Sequence, residues 1–256
     1  RALFGSRELV AAIARANLHS RHGSTALGRL WNLLDPLLML GVYWLVFGAL
    51  LAGRRPENFI AFLAVGLFLF RFAQTTMTTG AASIGKNLGM VRQVRFPRAV
   101  LVAAETLQQL GVLAWQLPVI AAIVILTSGR LPVTSGLLVA VVVPLLALFA
   151  FGGALLLARL AHSVRDVTQV LPYGFRILFY GTGVLFPIDE LLAGEPVAHW
   201  LPLNPFYAFV SLARHLTLAP RDDAPLLWVS VISWTVVTLA FGLIFFVRSE
   251  HRYGRG

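Results

Sequence analysis

Six stretches of this chain run apolar for about the length of a bilayer crossing, and that feature excludes most folds. They lie at about 32–52, 59–82, 99–127, 133–160, 168–187 and 226–247. A helix rises 1.5 Å per residue, so ~20 apolar residues span the ~30 Å hydrocarbon layer. In lipid every backbone N–H and C=O needs an internal partner, which leaves helices as the natural form of such stretches. A soluble alternative fails on composition. Only 12% of the residues are charged, against roughly 25% in soluble domains. The expected fold is all-α and integral to the membrane, with six transmembrane helices forming a single domain over 1–256.

The segments between the spans carry the charge. Residues 1–30 place Leu3, Phe4, Leu9, Val10, Ile13 and Leu18 on one helical face, predicting an amphipathic helix in the membrane interface. Residues 83–98 are basic and contain no acid. Residues 188–225 are the longest hydrophilic stretch and are expected to form short external helices. Six spans put Arg1, Arg7, Arg15, Arg21, Arg29, Lys86, Arg92, Arg95, Arg98, Arg159, Arg165, Arg248, Arg252 and Arg255 on one side. The other side receives Arg54, Arg55, Arg130, Arg214 and Arg221 against six acids, Glu57, Asp189, Glu190, Glu195, Asp222 and Asp223. Excess Lys and Arg mark the cytoplasmic side, so both termini are expected there. The net charge of +10 is then a matter of topology, and no nucleic acid is implied. The chain has no cysteine, which excludes disulfides and thiolate metal sites. The first 30 residues lack the apolar core of a cleavable signal peptide.

Enzyme motifs are weak. Gly80 to Asn87 approaches a phosphate-binding loop, but Asn87 stands where Ser or Thr would hold magnesium, and an apolar helix precedes it where a strand is required. The six histidines are scattered without an HExxH pair, so no metal site is expected. No GxSxG elbow is present, and no catalytic residue is expected. Three charges fall within spans: Arg71, Glu105 and Arg176. Such charges are costly in lipid and should face protein or a watery cavity. An Arg71–Glu105 ion pair and a polar path through a subunit interface are both open readings. Asp35, beside Pro36, reads as a helix-start partner.

Aromatic rings cluster at Phe68, Phe70 and Phe72, at Tyr173, Phe175, Phe179 and Tyr180, and at Trp31, Tyr43, Trp44 and Phe47. They suit lipid contact and interfacial belts, or a passage on which sugar rings stack. In the link, Val94 and Phe96 alternate with Arg92, Arg95 and Arg98. Pro97 should end any helix there. The arginines serve as a positive-inside anchor or as a docking element for a cytoplasmic partner.

Four segments carry a family resemblance: SRHGSTALGRLWNLLDPLLMLGVYWLVF at 20–47, SIGKNLGMVRQVRFPRAVL at 83–101, SVRDVTQVLPYGFRILFYGTGVLFP at 163–187 and LPLNPFYAFVSLAR at 201–214. In that order they resemble the membrane permease subunit of ABC-2-type exporters. The branch is the one that exports lipid-linked polysaccharides such as O-antigen, teichoic acid and galactan, with actinobacterial galactan exporters nearest. The resemblance implies half of a homodimeric permease in the bacterial inner membrane. Two separate ATPase subunits would bind ATP and magnesium, and this chain would hold no cofactor. Arg7, Arg15, Lys86, Arg92, Arg95, Phe96, Pro97 and Arg98 would contact the ATPases. Arg71, Phe68, Phe72, Tyr43, Tyr173, Phe179 and Tyr180 would line the substrate path. Arg21 and Arg29 would attract the diphosphate of a polyprenyl carrier, or anchor to acidic membrane lipid. Arg71 departs from the uncharged or aromatic residue expected there. Two other classes compete. A secondary transporter would show inverted repeats, and an intramembrane glycolipid enzyme would show converging acids. Neither signal is present.

Overall fold

The computed structural model describes residues 30–50, 56, 58–87, 89, 96–129, 131–164 and 166–248. The proposed interfacial helix at 1–30 lies outside all but one of these. Among the described residues the chain is helical throughout, without strands. The elements are α1 (Trp31–Leu50), α2 (Phe59–Lys86), α3 (Ala99–Ser128), α4 (Ser135–Ser163), α5 (Val167–Gly181), the single turn α6 (Ile188–Leu191), a 3-10 helix (Pro196–Leu203), α7 (Pro205–Thr217) and α8 (Ala224–Val247).

Local chemistry sets the ends. Asn58 precedes α2 with φ 51, a left-handed conformation that asparagine tolerates better than most residues. α3 starts two residues after Pro97. Gly129, with φ 72, closes α3 in the left-handed geometry glycine adopts without strain. Inside α4, Pro144 has no N–H for the Ala140 carbonyl. The turn before it widens into a π-helical segment, Leu138–Val142.

Among the described residues, five helices are long and apolar enough to cross a membrane: α1, α2, α3, α4 and α8. The expected fifth span at 168–187 is instead a shorter helix. α5 has 15 residues, or about 22 Å of rise, and the chain then turns at Gly183, where φ is +67. Pro172 and Arg176 dilute its apolar run.

The helix register nevertheless shows how the chain threads. Ile84, Ala99, Val102, Ala158 and Phe246 form one buried cluster. The end of α2, the start of α3 and the ends of α4 and α8 therefore share one end of the bundle. Thr235 of α8 donates to the Leu145 carbonyl of α4 at 3.5 Å. Seven residues on, a Cβ on Gly242 would collide with the Gly152 carbonyl. Equal steps along both helices mean that α4 and α8 run parallel. Between them the chain must return the length of the bundle, and α5 with residues 182–223 makes that return.

The return doubles back on itself. Phe179 of α5 meets Phe70 of α2 at 5.2 Å, and the Gly183 and Val184 carbonyls reach Arg214, which also bonds the Phe62 carbonyl. The chain then comes back to mid-α2, where Phe206, at the start of α7, lies 5.3 Å from Phe70. α7 then runs to the turn between α3 and α4, where Thr134 donates to the Leu216 carbonyl at 2.7 Å. Eleven of its 13 residues are buried. Part of the 188–225 stretch, for which the family resemblance implies short external helices with some of them re-entrant, is thus a re-entrant helix inside the bundle. Asn204 caps it, its side chain accepting from the Phe206 N–H at 3.0 Å, and Pro205 suits the first helical position.

α2 is the central helix, with 18 buried residues. Close packing comes from small residues, as is usual where lipid removes the hydrophobic drive between helices. A Cβ on Gly152 would lie 2.6 Å from the Leu239 nitrogen, and one on Gly80 would lie 2.7 Å from the Ala154 Cβ. Gly80 to Lys86 therefore continues α2 as a packed helix, and no phosphate-binding loop forms there.

Candidate functional site

A cleft of about 470 Å³ opens between α1, α2 and α3. α1 contributes Trp31, Asn32, Asp35 and Pro36, α2 contributes Arg71, Phe72 and Thr75, and α3 contributes Gln109, Val112 and Gln116. Arg71 lies twelve residues past the start of α2, roughly 18 Å along its axis. Polar groups this deep are kept where they face protein or water.

The partner of Arg71 is Asp35. Nη2 donates to Oδ2 at 2.7 Å, and the side chains are 32% and 56% exposed. This corrects both expectations for these residues. Glu105 is buried on α3, with 5% exposure, but it is Asp35 that forms the ion pair with Arg71. Asp35 is not a helix-start partner either, because α1 already begins at Trp31. A capping side chain must sit before the first turn to reach its free N–H groups.

Two donors in the cleft remain unspent. Arg71 Nη1 and Gln109 Nε2 are buried and have no hydrogen-bond partner among the described residues. Gln109 is 6% exposed. Gln116 donates to the Asn32 carbonyl at 2.9 Å, bracing α3 against the start of α1. The two glutamines were not among the candidate residues. Amide side chains inside an otherwise apolar helix were the available signal.

The proposed path residues divide. Phe72 lines the cleft. Tyr43 lies 5.5 Å from Phe179, and Phe179 lies 5.7 Å from Tyr180, so these three rings form one row across α1 and α5. Tyr173 and Tyr180 are exposed on the chain surface, whereas Phe68 is 0% exposed and belongs to the core. Arg176 is exposed, with its guanidinium 6.0 Å from the Tyr173 ring.

Of the proposed ATPase contacts, Lys86 ends α2, and Phe96 packs against Val100 and Ala104 just before α3. Pro97 and Arg98 form the turn into α3. Arg7, Arg15, Arg92 and Arg95, and the head-group candidates Arg21 and Arg29, lie outside the described residues.

A second polar centre holds the re-entrant helix. Arg214 is 8% exposed. Its Nη1 donates to the Gly183 carbonyl and its Nη2 to the Val184 carbonyl, each at 2.9 Å, while Nε and Nη2 reach the Phe62 carbonyl at 3.2 and 3.1 Å. The guanidinium centre also lies 3.3 Å from the Phe62 ring centroid. Gly66 makes room, since a Cβ there would lie 2.6 Å from Arg214 Nη2. Just before the start of α8, Arg221 bridges Asp189 at 2.7 Å and Asp223 at 2.9 Å. Burial disfavours its charge, but Asp223, Tyr207 and Asp189 outweigh burial and raise its pKa above the ordinary arginine value.

Long apolar helices with a polar cleft and a re-entrant segment define a multi-pass membrane protein of the transporter kind. Residues 8–218 match the ABC-2 type transporter family, and the chain belongs to that family. Its similarity to curated proteins extends almost end to end. It is 27% identical over 252 residues to the O-antigen export system permease protein RfbA of Myxococcus xanthus, covering 98% of this chain and 96% of that one. It is 24% identical to a Klebsiella pneumoniae protein of the same name, covering 96% and 93%. It is also 24% identical to the polysialic acid transport protein KpsM of Escherichia coli, covering 94% and 93%.

Proposed function

We propose that this chain is the membrane permease of an ABC exporter that carries a polyprenyl-diphosphate-linked polysaccharide, of O-antigen or galactan type, out of the cytoplasm. The observation that carries this reading is the near full-length similarity to permeases named for O-antigen export and polysialic acid transport. Energy would come from two separate ATPase subunits, which hold the ATP and magnesium. They would dock at the end of the bundle that carries Lys86, Phe96, Pro97 and Arg98, together with Arg7, Arg15, Arg92 and Arg95. The basic charge of that end supports a cytoplasmic placement, and the end of α8 clusters with it through Ile84, Ala99 and Phe246.

A second copy would complete the pathway. α5 buries only Phe175 and Phe179, and α1 leaves Leu38, Val42 and Leu45 exposed. These neighbouring faces are where a homodimer would close. The row Tyr43, Phe179, Tyr180, with Tyr173 beside it, would then border the glycan passage, because ring faces stack well on sugar C–H faces. α5 and the segment after it would supply the sixth crossing.

Deletion of the gene tests the reading. Surface polysaccharide should disappear while lipid-linked glycan accumulates inside the cell, and a plasmid copy should restore export. Unchanged surface glycan in the deletion strain would refute it.

A further inference from the structure

We propose that His215 is a pH-sensitive latch. Its neutral imidazole holds the 218–223 link against α7 and, through Arg221, ties α6 and the start of α8 to that helix, so the tie loosens as pH falls. α3 starts at the basic end of the bundle and finishes at the turn carrying Thr134, whose hydroxyl donates to the Leu216 carbonyl. His215 therefore lies at the end opposite Lys86. The proposal rests on the export reading only for which compartment's pH meets the latch.

Residues 218–223 carry the chain from α7 into α8. The link leaves α7 with the Leu218 and Ala219 N–H groups on the Arg214 carbonyl, at 2.8 and 3.4 Å. Pro220 has no N–H to give. The next main-chain donor goes to a side chain: the Arg221 N–H donates to His215 Nδ1 at 2.8 Å. From that anchor the Arg221 side chain spreads over its neighbours. Nη1 pairs with Asp189 of α6 at 2.7 Å. Nε and Nη2 donate to the two Asp223 carboxylate oxygens at 2.9 and 3.0 Å, just before α8. Nη2 also donates to Tyr207 Oη of α7 at 3.2 Å. Tyr207 and His215 stand near opposite ends of α7, roughly 12 Å apart along its axis. Arg221 thus grips α7 twice, by its main chain at one end and by its guanidinium at the other.

Only one protonation state of His215 can make this contact. A neutral imidazole keeps one nitrogen as an acceptor, whereas the imidazolium donates from both. Protonation would set a donor against the Arg221 N–H and add a second cation beside Arg221, and like charges repel. The contact is therefore present at higher pH and lost as pH falls. Among the described residues, the charged and titratable groups of this cluster are Asp189 on α6, Tyr207 and Arg214 on α7, and Arg221, Asp222 and Asp223 in the link. The α3–α4 turn presents Thr134 and Ser135 to the end of α7, and the first turn of α8 carries no charge. The Arg214 guanidinium is committed to the Gly183, Val184 and Phe62 carbonyls. Histidine is the residue type that ordinarily titrates between about pH 5 and 8, whereas carboxylates do so near 4 and tyrosine near 10. His199, exposed on the 3-10 helix, is the control for a histidine without this bond.

The test uses the full chain in lipid nanodiscs, where the lack of cysteine leaves a clean background for one spin label. Ala219→Cys puts the label on the exposed part of the link. Electron paramagnetic resonance line shapes then report its mobility at about pH 7.5 and about pH 5.5, either side of the ordinary histidine value. The mobile fraction should rise about fivefold at the lower pH, the equivalent of one hydrogen bond at ~1 kcal/mol. His215→Asn, which offers an acceptor that does not titrate, should hold the label at both pH values. His215→Ala should leave it mobile at both, and His199→Asn should keep the full response. An unchanged spectrum in the Ala219→Cys chain would overturn the latch. So would a full pH response in His215→Asn, its loss in His199→Asn, or a label held as firmly in His215→Ala as in its parent at the higher pH. The gene deletion is read independently, so loss of surface glycan there leaves the export reading standing even where the latch fails.

Discussion

Replacing Arg214 by methionine should loosen the re-entrant helix from the bundle. Two main-chain carbonyls outside helix ladders, at Gly183 and Val184, take their hydrogen bonds from this one guanidinium, which also reaches the helical Phe62 carbonyl. Each unsatisfied carbonyl costs ~1–3 kcal/mol, for a gross loss of about 2–6 kcal/mol. Methionine keeps some packing and relieves the burial of an uncompensated charge, so a net loss of about 3 kcal/mol is expected. At roughly 2–4 °C per kcal/mol for a chain of this size, the melting temperature should fall by about 9 °C. The assay is fluorescence-detected size exclusion of detergent-solubilised protein after heating. Arg214→Lys, which keeps the charge but lacks the fork that reaches three acceptors, should fall between. Gly66→Ala gives an independent entry to the same contact. Its Cβ would lie 2.6 Å from Arg214 Nη2, so it should destabilise the wild-type chain more than the Arg214→Met chain. Melting of Arg214→Met within about 2 °C of wild type would refute the reasoning, since that shift corresponds to under 1 kcal/mol. The phenylalanine packing around Phe206 would then be what holds α7.

Three further outcomes are expected. Gly242→Leu should drive α8 away from the Gly152 carbonyl and lower both expression and melting temperature, whereas Gly136→Leu, whose Cβ meets nothing within 4 Å, should have little effect on either. Arg71→Met and Asp35→Asn should each reduce export more than membrane insertion, and the double variant should recover about 0.5–2 kcal/mol of coupling in a melting cycle; strictly additive losses would show that the 2.7 Å pair carries no energy. Charge reversal at Arg92, Arg95 and Arg98 should abolish co-purification of the ATPase while the chain still folds, and intact co-purification would remove the docking role.

The helices whose apolar runs are long and uninterrupted were legible from hydropathy. α2, α3, α4 and α8 fall close to the stretches 59–82, 99–127, 133–160 and 226–247. Pro97 announced the start of α3, because its backbone restriction is local. α5 and α7 were harder. α5 reads as a full span, but with Pro172 and Arg176 in it the helix is only 15 residues long, whereas α7, with Pro205 and Arg214, sits deeper than hydropathy suggests. α7 is buried against protein rather than lipid, and burial of that kind leaves no run of ~20 apolar residues to read. The site was half visible. Arg71 stood out as a charge in a span, but its partner depends on how α1 and α3 rotate against α2. Depth alone allowed Glu105, and rotation selected Asp35. Gln109 was passed over because an amide in a span carries no charge to flag it. Phe68 and Phe72 are four residues apart and share a helical neighbourhood, yet only Phe72 reaches the cleft.

The claim that this chain moves a lipid-linked glycan under ATP control is tested most directly in inside-out membrane vesicles. The vesicles would contain this chain with its ATPase and be loaded outside with radiolabelled lipid-linked glycan. Periodate applied outside then reports how much glycan has become protected in the lumen. The account predicts protection that requires ATP, is lost with a hydrolysis-deficient ATPase, and is absent from vesicles lacking this chain. Equal protection without ATP or without the chain would contradict it.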